Sequence, residues 1–216
     1  MQAKSHLHLV TSQGEKRAVG DQPGTRGVGR LRNTDYRKRE HLTESEIEKL
    51  IEAAKTNRYG HRNATMIIVA YRHALRASEL CDLTWDAIDF RAATMHVTRR
   101  KHGQATTHQI SGPELKALRK LQREQESKSH FVFITERDGE PFNRDGFNWM
   151  VKRTGKKAGL PFQVHAHMLR HSAGYTLANA GKDTRSIQAY LGHRDIRHTV
   201  RYTELSPTRF KNFFPD

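Results

Sequence analysis

The sequence contains little cysteine and no long apolar run. Its 216 residues include a single cysteine, Cys81, so no disulfide can form within the chain. We interpret Cys81, which lies in the apolar stretch 80–83, as a small buried residue and not as a nucleophile. No segment is long enough to cross a bilayer, and the first residues lack the apolar core of a secretory signal. We therefore expect a cytoplasmic protein without a membrane partner.

The charge balance is strongly basic. Lysine and arginine number 38 against 23 aspartate and glutamate, which gives a formal net charge of +15. An excess of this kind is typical of proteins that bind polyanions, with nucleic acid as the first candidate and an anionic membrane surface as the second. The hydrophobic content of 35% suffices for one ordinary core, or for one core and a tail.

Residues 1–40 differ in composition from the rest of the chain. Glycine and proline interrupt any periodicity there, and basic residues accumulate towards the end of the segment: Arg26, Arg30, Arg32, Arg37, Lys38 and Arg39. We interpret residues 1–40 as a flexible basic arm and residues 41–216 as the folded domain. An inert tail and an arm that grips phosphates remain alternatives for the first segment.

Helical patterns dominate residues 41–216. Thr43 and Glu46 form a capping box at the start of a helix. Apolar spacing predicts further helices over residues 64–73, 143–158 and 167–180, after Asp183, and around Tyr202, with a short helix or turn over 76–83. Residues 111–114 carry the signals that begin another helix. The fold class is therefore mainly α with a small antiparallel β element.

The β element is predicted from one hairpin. Thr94, His96 and Thr98 alternate with their neighbours, and a returning strand follows over residues 106–110, so that Lys101 lies near the tip. Residues 131–134 are predicted to form a third short strand. A terminal helix with Phe210, Phe213 and Phe214 on one face is expected to dock onto a neighbouring copy or to pack on its own chain.

Two histidines and an arginine are concentrated at the start of the helix predicted over residues 167–180. His167 and His171 have the i, i+4 spacing of a metal pair, but zinc needs three or four ligands and the usual glutamate is absent, so we predict no metal or other cofactor. His167 and Arg170 share a face, where arginine fits phosphate oxygens and histidine moves protons. An exposed, solvated helix face is the alternative.

Read in order, the chain presents Arg76, hairpin Lys101, His167, Arg170, His193 and Tyr202. This order and spacing closely resemble the catalytic domain of tyrosine recombinases, the phage integrase family. Residues 70–73, 165–171, 190–194 and 196–202 look most like the single-domain recombinases that invert bacterial fimbrial promoters. The resemblance covers roughly residues 42–209, and its strength comes from five motifs in register.

The resemblance implies a metal-free reaction on phosphodiesters. Arg76 and Arg170 match the two family arginines, which stabilise charge on phosphorus. Tyr202 matches the nucleophile that forms a covalent phosphotyrosine, and His167 matches its base. Lys101 matches the acid that protonates the leaving 5′-oxygen, and His193 matches a donor to a non-bridging oxygen. Glu79 matches an acidic position that supports the site structurally. Tyr175 and Tyr190 compete for the nucleophile role, but only Tyr202 has the family's offset from His193.

The resemblance also implies the partners. We expect double-stranded DNA, a homotetramer on two DNA sites, and an association with the nucleoid. Most of the family has an additional N-terminal domain, which the fimbrial group lacks, so an accessory DNA-bending protein is a further expected partner. A topoisomerase of type IB that nicks and rejoins DNA, and a DNA-binding regulator without catalysis, are the alternative functions.

Overall fold

The structure is a computed structural model that describes residues 39–99, 104–125, 129–135 and 139–204. These ranges contain eight α-helices and three short strands. In chain order they are α1 Glu44–Lys55, α2 Gly60–Arg72, α3 Ala77–Cys81, β1 Ile88–Asp89, β2 Thr94–Val97, β3 Thr106–Gln109, α4 Gly112–Glu124, α5 Arg144–Lys157, α6 Ala166–Asn179, α7 Thr184–Leu191 and α8 Arg197–Glu204. The mainly α class with a small antiparallel β element is confirmed.

Local capping signals set the start of α1. The side-chain oxygen of Thr43 accepts from the Glu46 amide at 3.3 Å, and the Glu46 carboxylate accepts from the Thr43 amide at 2.8 Å. This reciprocal pair satisfies two amides that have no partner inside the helix. The predicted capping box is confirmed.

The three strands form one antiparallel sheet in the order β1-β2-β3. Met95 pairs with His108 and Val97 with Thr106, which confirms the predicted hairpin. The two-residue strand β1 was not predicted, because two residues are too few for alternation to be detected. Lys101 lies outside the described residues.

The predicted third strand over residues 131–134 is wrong. The segment makes only isolated bridges, from Phe131 to Thr84 and from Ile134 to Pro141. Its backbone is bound by different loops, since the Val132 amide donates to the Leu83 carbonyl at 2.9 Å. The apolar run that suggested a strand instead fills the core, where Val132 and Phe133 are fully buried.

Helix α2 runs through the core and packs against α1, α4 and α6. It begins at Gly60, four residues earlier than the apolar run predicted. The apolar pattern missed this first turn because its buried residue Arg62 is polar and stacks over the Tyr59 ring at 4.6 Å and over the Phe142 ring at 4.9 Å. Cys81 is buried as predicted, and burial raises the pKa of its thiol to about 12.

A second, smaller cluster of buried residues lies beside this core. It joins the turn after α2 to helices α6, α7 and α8, and its members are Ala74, Ala173, Ala178, Ile187, Leu191 and Tyr202. The helices that carry the predicted site residues therefore meet around one packed centre. Within the described ranges, no helix has the length and apolar character needed to span a bilayer.

Candidate active site

Arg76 is held at the start of α3 by a buried carboxylate. It is the N-cap residue of that helix, and the Glu79 carboxylate accepts both the Arg76 amide, at 3.0 Å, and the Arg76 guanidinium, at 2.6 Å. The Glu79 side chain is 1% exposed and the Arg76 side chain 29% exposed. Glu79 thus holds the backbone amide and one guanidinium nitrogen of Arg76, while part of the guanidinium remains accessible to a ligand.

A second arginine, Arg99, reaches the same carboxylate from the end of β2. Its side chain is fully buried and donates to Glu79 at 3.1 Å and to the carbonyls of His73 and Tyr190. A methyl group on Gly192, which has a positive φ of 64°, would lie 2.6 Å from Arg99 Cγ. Arg99 therefore ties the turn after α2 to the end of α7. This residue was not identified from the sequence.

Arg170 on α6 completes the group of arginines. It is 1% exposed, donates at 2.5 Å to the carbonyls of Ala74 and Leu191, and lies 3.9 Å from Glu79. Burial and the charges of Arg76 and Arg99 lower the pKa of Arg170 to about 9, so it remains charged at neutral pH.

Three guanidinium charges around one carboxylate leave an excess of two positive charges in this region. Buried charge without compensation is costly, and an anion with several oxygens is the natural counter-charge. We call Arg76, Glu79, Arg99 and Arg170 the arginine cluster. Its composition favours a phosphate group as ligand.

His193 borders the arginine cluster just after α7. Helix α7 is capped by Gly192 in the left-handed conformation, and this turn brings His193 Nδ1 to 2.9 Å from Thr199 Oγ1 on α8. Burial, Arg170 and Arg76 lower the pKa of His193 to about 3. The imidazole is therefore neutral at physiological pH and its other nitrogen is suited to a hydrogen bond with a ligand.

Tyr202 lies on α8 and points its ring into the smaller buried cluster. It is 1% exposed, its ring is nearly parallel to that of His193 at 6.4 Å, and it meets Tyr175 edge-on at 5.0 Å. Burial raises the pKa of its hydroxyl, although Arg201 and Arg170 oppose the shift. The phenol is therefore protonated in this state and needs a proton acceptor before it can attack.

The hydroxyl of Tyr202 is hydrogen-bonded to His171 Nδ1 at 2.7 Å. His171 follows His167 by one helical turn, and the two rings meet edge-on at 4.5 Å. Burial and the nearby positive charges lower the pKa of His171 to about 2 and that of His167 to about 4. From the sequence, His171 was considered only as a metal ligand, because an i, i+4 histidine pair gives no sign of a tyrosine partner 31 residues away.

The competing tyrosines have different surroundings. Tyr190 donates its hydroxyl to the Arg72 carbonyl at 2.6 Å and stacks on His108 at 3.9 Å. Tyr175 lies between His41 and Tyr202. Tyr202 is the tyrosine that stands next to both Arg170 and His193. Lys101, residues 1–38 of the predicted arm and the terminal phenylalanines lie outside the described residues.

Residues 40–209 match the model of the phage integrase family. The type 1 fimbriae regulatory proteins FimB and FimE of Escherichia coli K12 are 43% and 38% identical to the chain. The FimB match covers 82% of this chain and 90% of FimB, and the FimE match covers 80% and 89%.

The crystal structure of XerA recombinase superimposes with a TM-score of 0.71 at 26% identity. That match covers 82% of this chain but only 65% of the XerA chain, so this chain spans about two thirds of that protein. The chain belongs to the phage integrase family. Within it, the chain is a tyrosine-type site-specific recombinase, and the resemblance noted in the sequence is confirmed.

Proposed function

We propose that this recombinase cleaves and rejoins DNA through a covalent 3′-phosphotyrosine at Tyr202. The observation that carries the proposal is the arginine cluster, with its excess positive charge, beside a buried tyrosine whose hydroxyl is hydrogen-bonded to a histidine. Arg76 and Arg170 bind the non-bridging oxygens of the scissile phosphate, and His193 adds a third donor. Arg99 and Glu79 hold these groups in place.

In the proposed reaction, Tyr202 Oη forms a bond to phosphorus while the bond from phosphorus to the 5′-oxygen breaks. The phenol loses its proton to a histidine of α6, where His167 is the residue that the family resemblance assigns to proton transfer. The leaving 5′-oxygen takes a proton from Lys101. The phosphotyrosine conserves the energy of the broken bond, so that a 5′-hydroxyl of a second strand reverses the reaction without a nucleotide cofactor.

Double-stranded DNA is the proposed substrate, and residues 41–216 are the proposed catalytic domain, with residues 1–40 as a basic arm. The net charge of +15 supports a polyanionic partner. We expect the affinity of the Tyr202→Phe variant for duplex DNA to fall steeply as salt increases, because each phosphate contact releases counterions. An affinity that stays constant between low and moderate salt would contradict DNA as the partner.

The outcome of recombination is proposed to be inversion or integration, and the identity to FimB and FimE supports inversion. Four copies on two DNA sites, an accessory DNA-bending protein and a nucleoid location complete the proposal. A relaxing topoisomerase and an inactive regulator are not favoured, since the family and the similarity to XerA recombinase point to strand exchange.

The test uses the full chain and DNA from its own genomic neighbourhood. Covalent adducts are trapped, and the DNA ends linked to protein are sequenced. We expect adducts with the wild-type chain and none with Tyr202→Phe, which should retain DNA binding. Tyr175→Phe is the matched control and should still form adducts. Adducts in the Tyr202→Phe variant would overturn the assignment of the nucleophile.

A further inference from the structure

The contact between His171 and Tyr202 has no role assigned to it by the family resemblance. His171 Nδ1 lies 2.7 Å from Tyr202 Oη, and the two residues belong to α6 and α8, which pack directly against each other. The family resemblance assigned the proton acceptor to His167, one turn earlier on α6. The geometry gives His171 the position that an acceptor for the Tyr202 proton requires.

The direction of this hydrogen bond depends on the charge states of its partners and on the tautomer of His171. Burial and surrounding positive charge lower the pKa of His171 to about 2, and burial raises the pKa of Tyr202, so both groups are neutral at physiological pH. In the tautomer with the imidazole proton on Nε2, the phenol donates and Nδ1 accepts. The hydroxyl proton of the nucleophile then points at its acceptor before DNA is bound.

The tyrosine ring is positioned without the help of this hydrogen bond. A methyl group on Gly174 would lie 2.8 Å from Tyr202 Cζ, so the ring rests directly on the backbone of α6. Tyr175 contacts the ring edge-on, and the Arg201–Glu40 ion pair holds the adjacent residue of α8. The ring therefore has anchors other than the bond to His171, and that bond acts directly on the hydroxyl proton.

We propose that His171 is a further catalytic residue, which accepts the hydroxyl proton of Tyr202 as the nucleophile attacks phosphorus. The inference rests on the proposed function. The bond from Tyr202 Oη to phosphorus forms, the bond from phosphorus to the 5′-oxygen breaks, and the phenol proton moves to His171 Nδ1. In the rejoining step His171 returns the proton to the departing phenolate. His167, edge-on to His171, remains next to the phosphate.

The same arrangement makes proton transfer dependent on DNA. The charged and titratable groups around His171 are His165, His167 and Arg170 on and before α6, and Arg201 on α8, with the Arg201 charge offset by Glu40. In the free protein the positive charges of Arg170 and Arg201 oppose a proton on His171. A phosphate bound by Arg76 and Arg170 brings negative charge to this region, so it strengthens His171 as a base when substrate is present.

The experiment measures single-turnover adduct formation on a nicked duplex that traps the cleaved product. His171→Asn keeps a hydrogen-bond acceptor but cannot take a proton. We expect adduct formation to slow by about 100-fold or more, the usual contribution of a general base. We also expect its rate to continue rising with pH where the wild-type rate has levelled off. His130→Asn is the matched control, because His130 is exposed and lies outside the site.

A fluorinated tyrosine at position 202, which has a more acidic hydroxyl, separates a base from a packing residue. It should restore most of the lost rate in His171→Asn but not in His167→Asn. Equal effects of fluorination on the wild-type chain and on His171→Asn, or recovery in His167→Asn alone, would overturn the assignment. If no adduct forms even with the wild-type chain, it is the proposed function that fails, so the two failures are distinguishable.

A measurement that leaves His171 in place covers the case in which His171→Asn does not fold. Nitrogen NMR of histidine-labelled protein should show His171 as the neutral tautomer with its proton on Nε2, and its Nδ1 resonance should move in Tyr202→Phe. Addition of a DNA half-site should shift the His171 titration to higher pH. A charged His171 in the free protein at neutral pH, or a titration that DNA leaves unchanged, would contradict the proposal.

Discussion

Gly174 on α6 and Tyr202 on α8 touch with no space for a methyl group between them. A Cβ atom at position 174 would lie 2.8 Å from Tyr202 Cζ and 2.9 Å from Cε2, closer than carbon atoms approach in folded proteins. The aromatic ring therefore lies against the helix backbone, and this close approach sets the depth at which the hydroxyl reaches His171. A glycine at position 174 is thus part of the geometry of the nucleophile.

We predict that Gly174→Ala displaces Tyr202 and strongly reduces adduct formation while DNA binding is retained. Overpacking of a buried contact also lowers the free energy of unfolding, here by about 1–3 kcal/mol. Urea denaturation and trapping of adducts measure the two effects. Gly112→Ala is the matched control, because a Cβ there meets nothing within 4 Å. An active Gly174→Ala enzyme would show that the resting position of Tyr202 is irrelevant to cleavage.

The sequence was sufficient to predict features that depend on near neighbours along the chain. The cap of α1, the β2–β3 hairpin and the helices around Arg170 and Tyr202 follow from spacing over a few residues. The same reasoning failed for residues 131–134. Their apolar run is typical of a buried strand, but distant loops bury it without pairing in a sheet. Local periodicity alone does not distinguish these two kinds of buried segment.

Two site residues were not predictable because their partners are remote. In the sequence, Arg99 is one more residue of an alternating strand. In the structure, its guanidinium donates hydrogen bonds to Glu79 and to the Tyr190 carbonyl, 20 and 91 residues away. His171 shares the spacing of a metal pair, and only the fold brings Tyr202 to it. Among the described residues, no group of three or more histidine, cysteine, aspartate or glutamate side chains is arranged to hold a metal ion.

Glu79 should stabilise the fold through the arginines that it joins. Glu79→Gln removes the carboxylate charge that faces Arg76, Arg99 and Arg170, and loss of one partner from a buried ionic network costs roughly 3 kcal/mol of unfolding free energy. We also expect slower adduct formation, because the carboxylate that holds Arg76 in position is lost. Chemical denaturation at neutral pH measures the first effect, and Glu48→Gln, an exposed change on α1, is the control.

The pH dependence of this contribution has a definite sign. Burial raises the pKa of Glu79, but hydrogen bonds from Arg76 and the charge of Arg99 outweigh it, so the pKa in the folded protein is lowered. Its stabilisation is therefore complete above the unfolded pKa of about 4.3 and is lost as the pH falls through the folded value. Glu79→Gln should lack this part of the acid sensitivity. Parallel acid titrations of the variant and the wild-type chain would contradict the ion-pair role.

The buried histidines should make the protein labile at mildly acidic pH. Burial, His73 and Arg99 lower the pKa of His108 to about 3, and its side chain hydrogen-bonds to His73 and Thr106. In the unfolded chain His108 is protonated below about pH 6.5, whereas in the folded chain it stays neutral down to a much lower pH. The free energy of unfolding therefore declines as the pH falls from about 6.5 towards 3.

The slope provides a quantitative check on His108. One such histidine changes the unfolding free energy by up to about 1.4 kcal/mol per pH unit below its unfolded pKa. His108→Gln keeps polar contacts but cannot titrate, so its stability should fall less steeply between pH 6.5 and 5 than that of the wild-type chain. His130→Asn, an exposed change, should leave the slope unaltered. Equal slopes for all three proteins would mean that His108 is protonated in the fold.

Lys101 follows β2 and is the proposed acid for the leaving 5′-oxygen. Lys101→Ala should slow cleavage by about 100-fold or more, the range typical of a lost general acid. A substrate with sulfur in place of that bridging oxygen should restore the rate, since a thiolate leaves without a proton. Arg100→Ala, one residue away, is the decisive comparison, and Lys49→Ala on α1 is the neutral control. If sulfur restores Arg100→Ala and not Lys101→Ala, the acid is Arg100, and the assignment of the hairpin lysine is wrong.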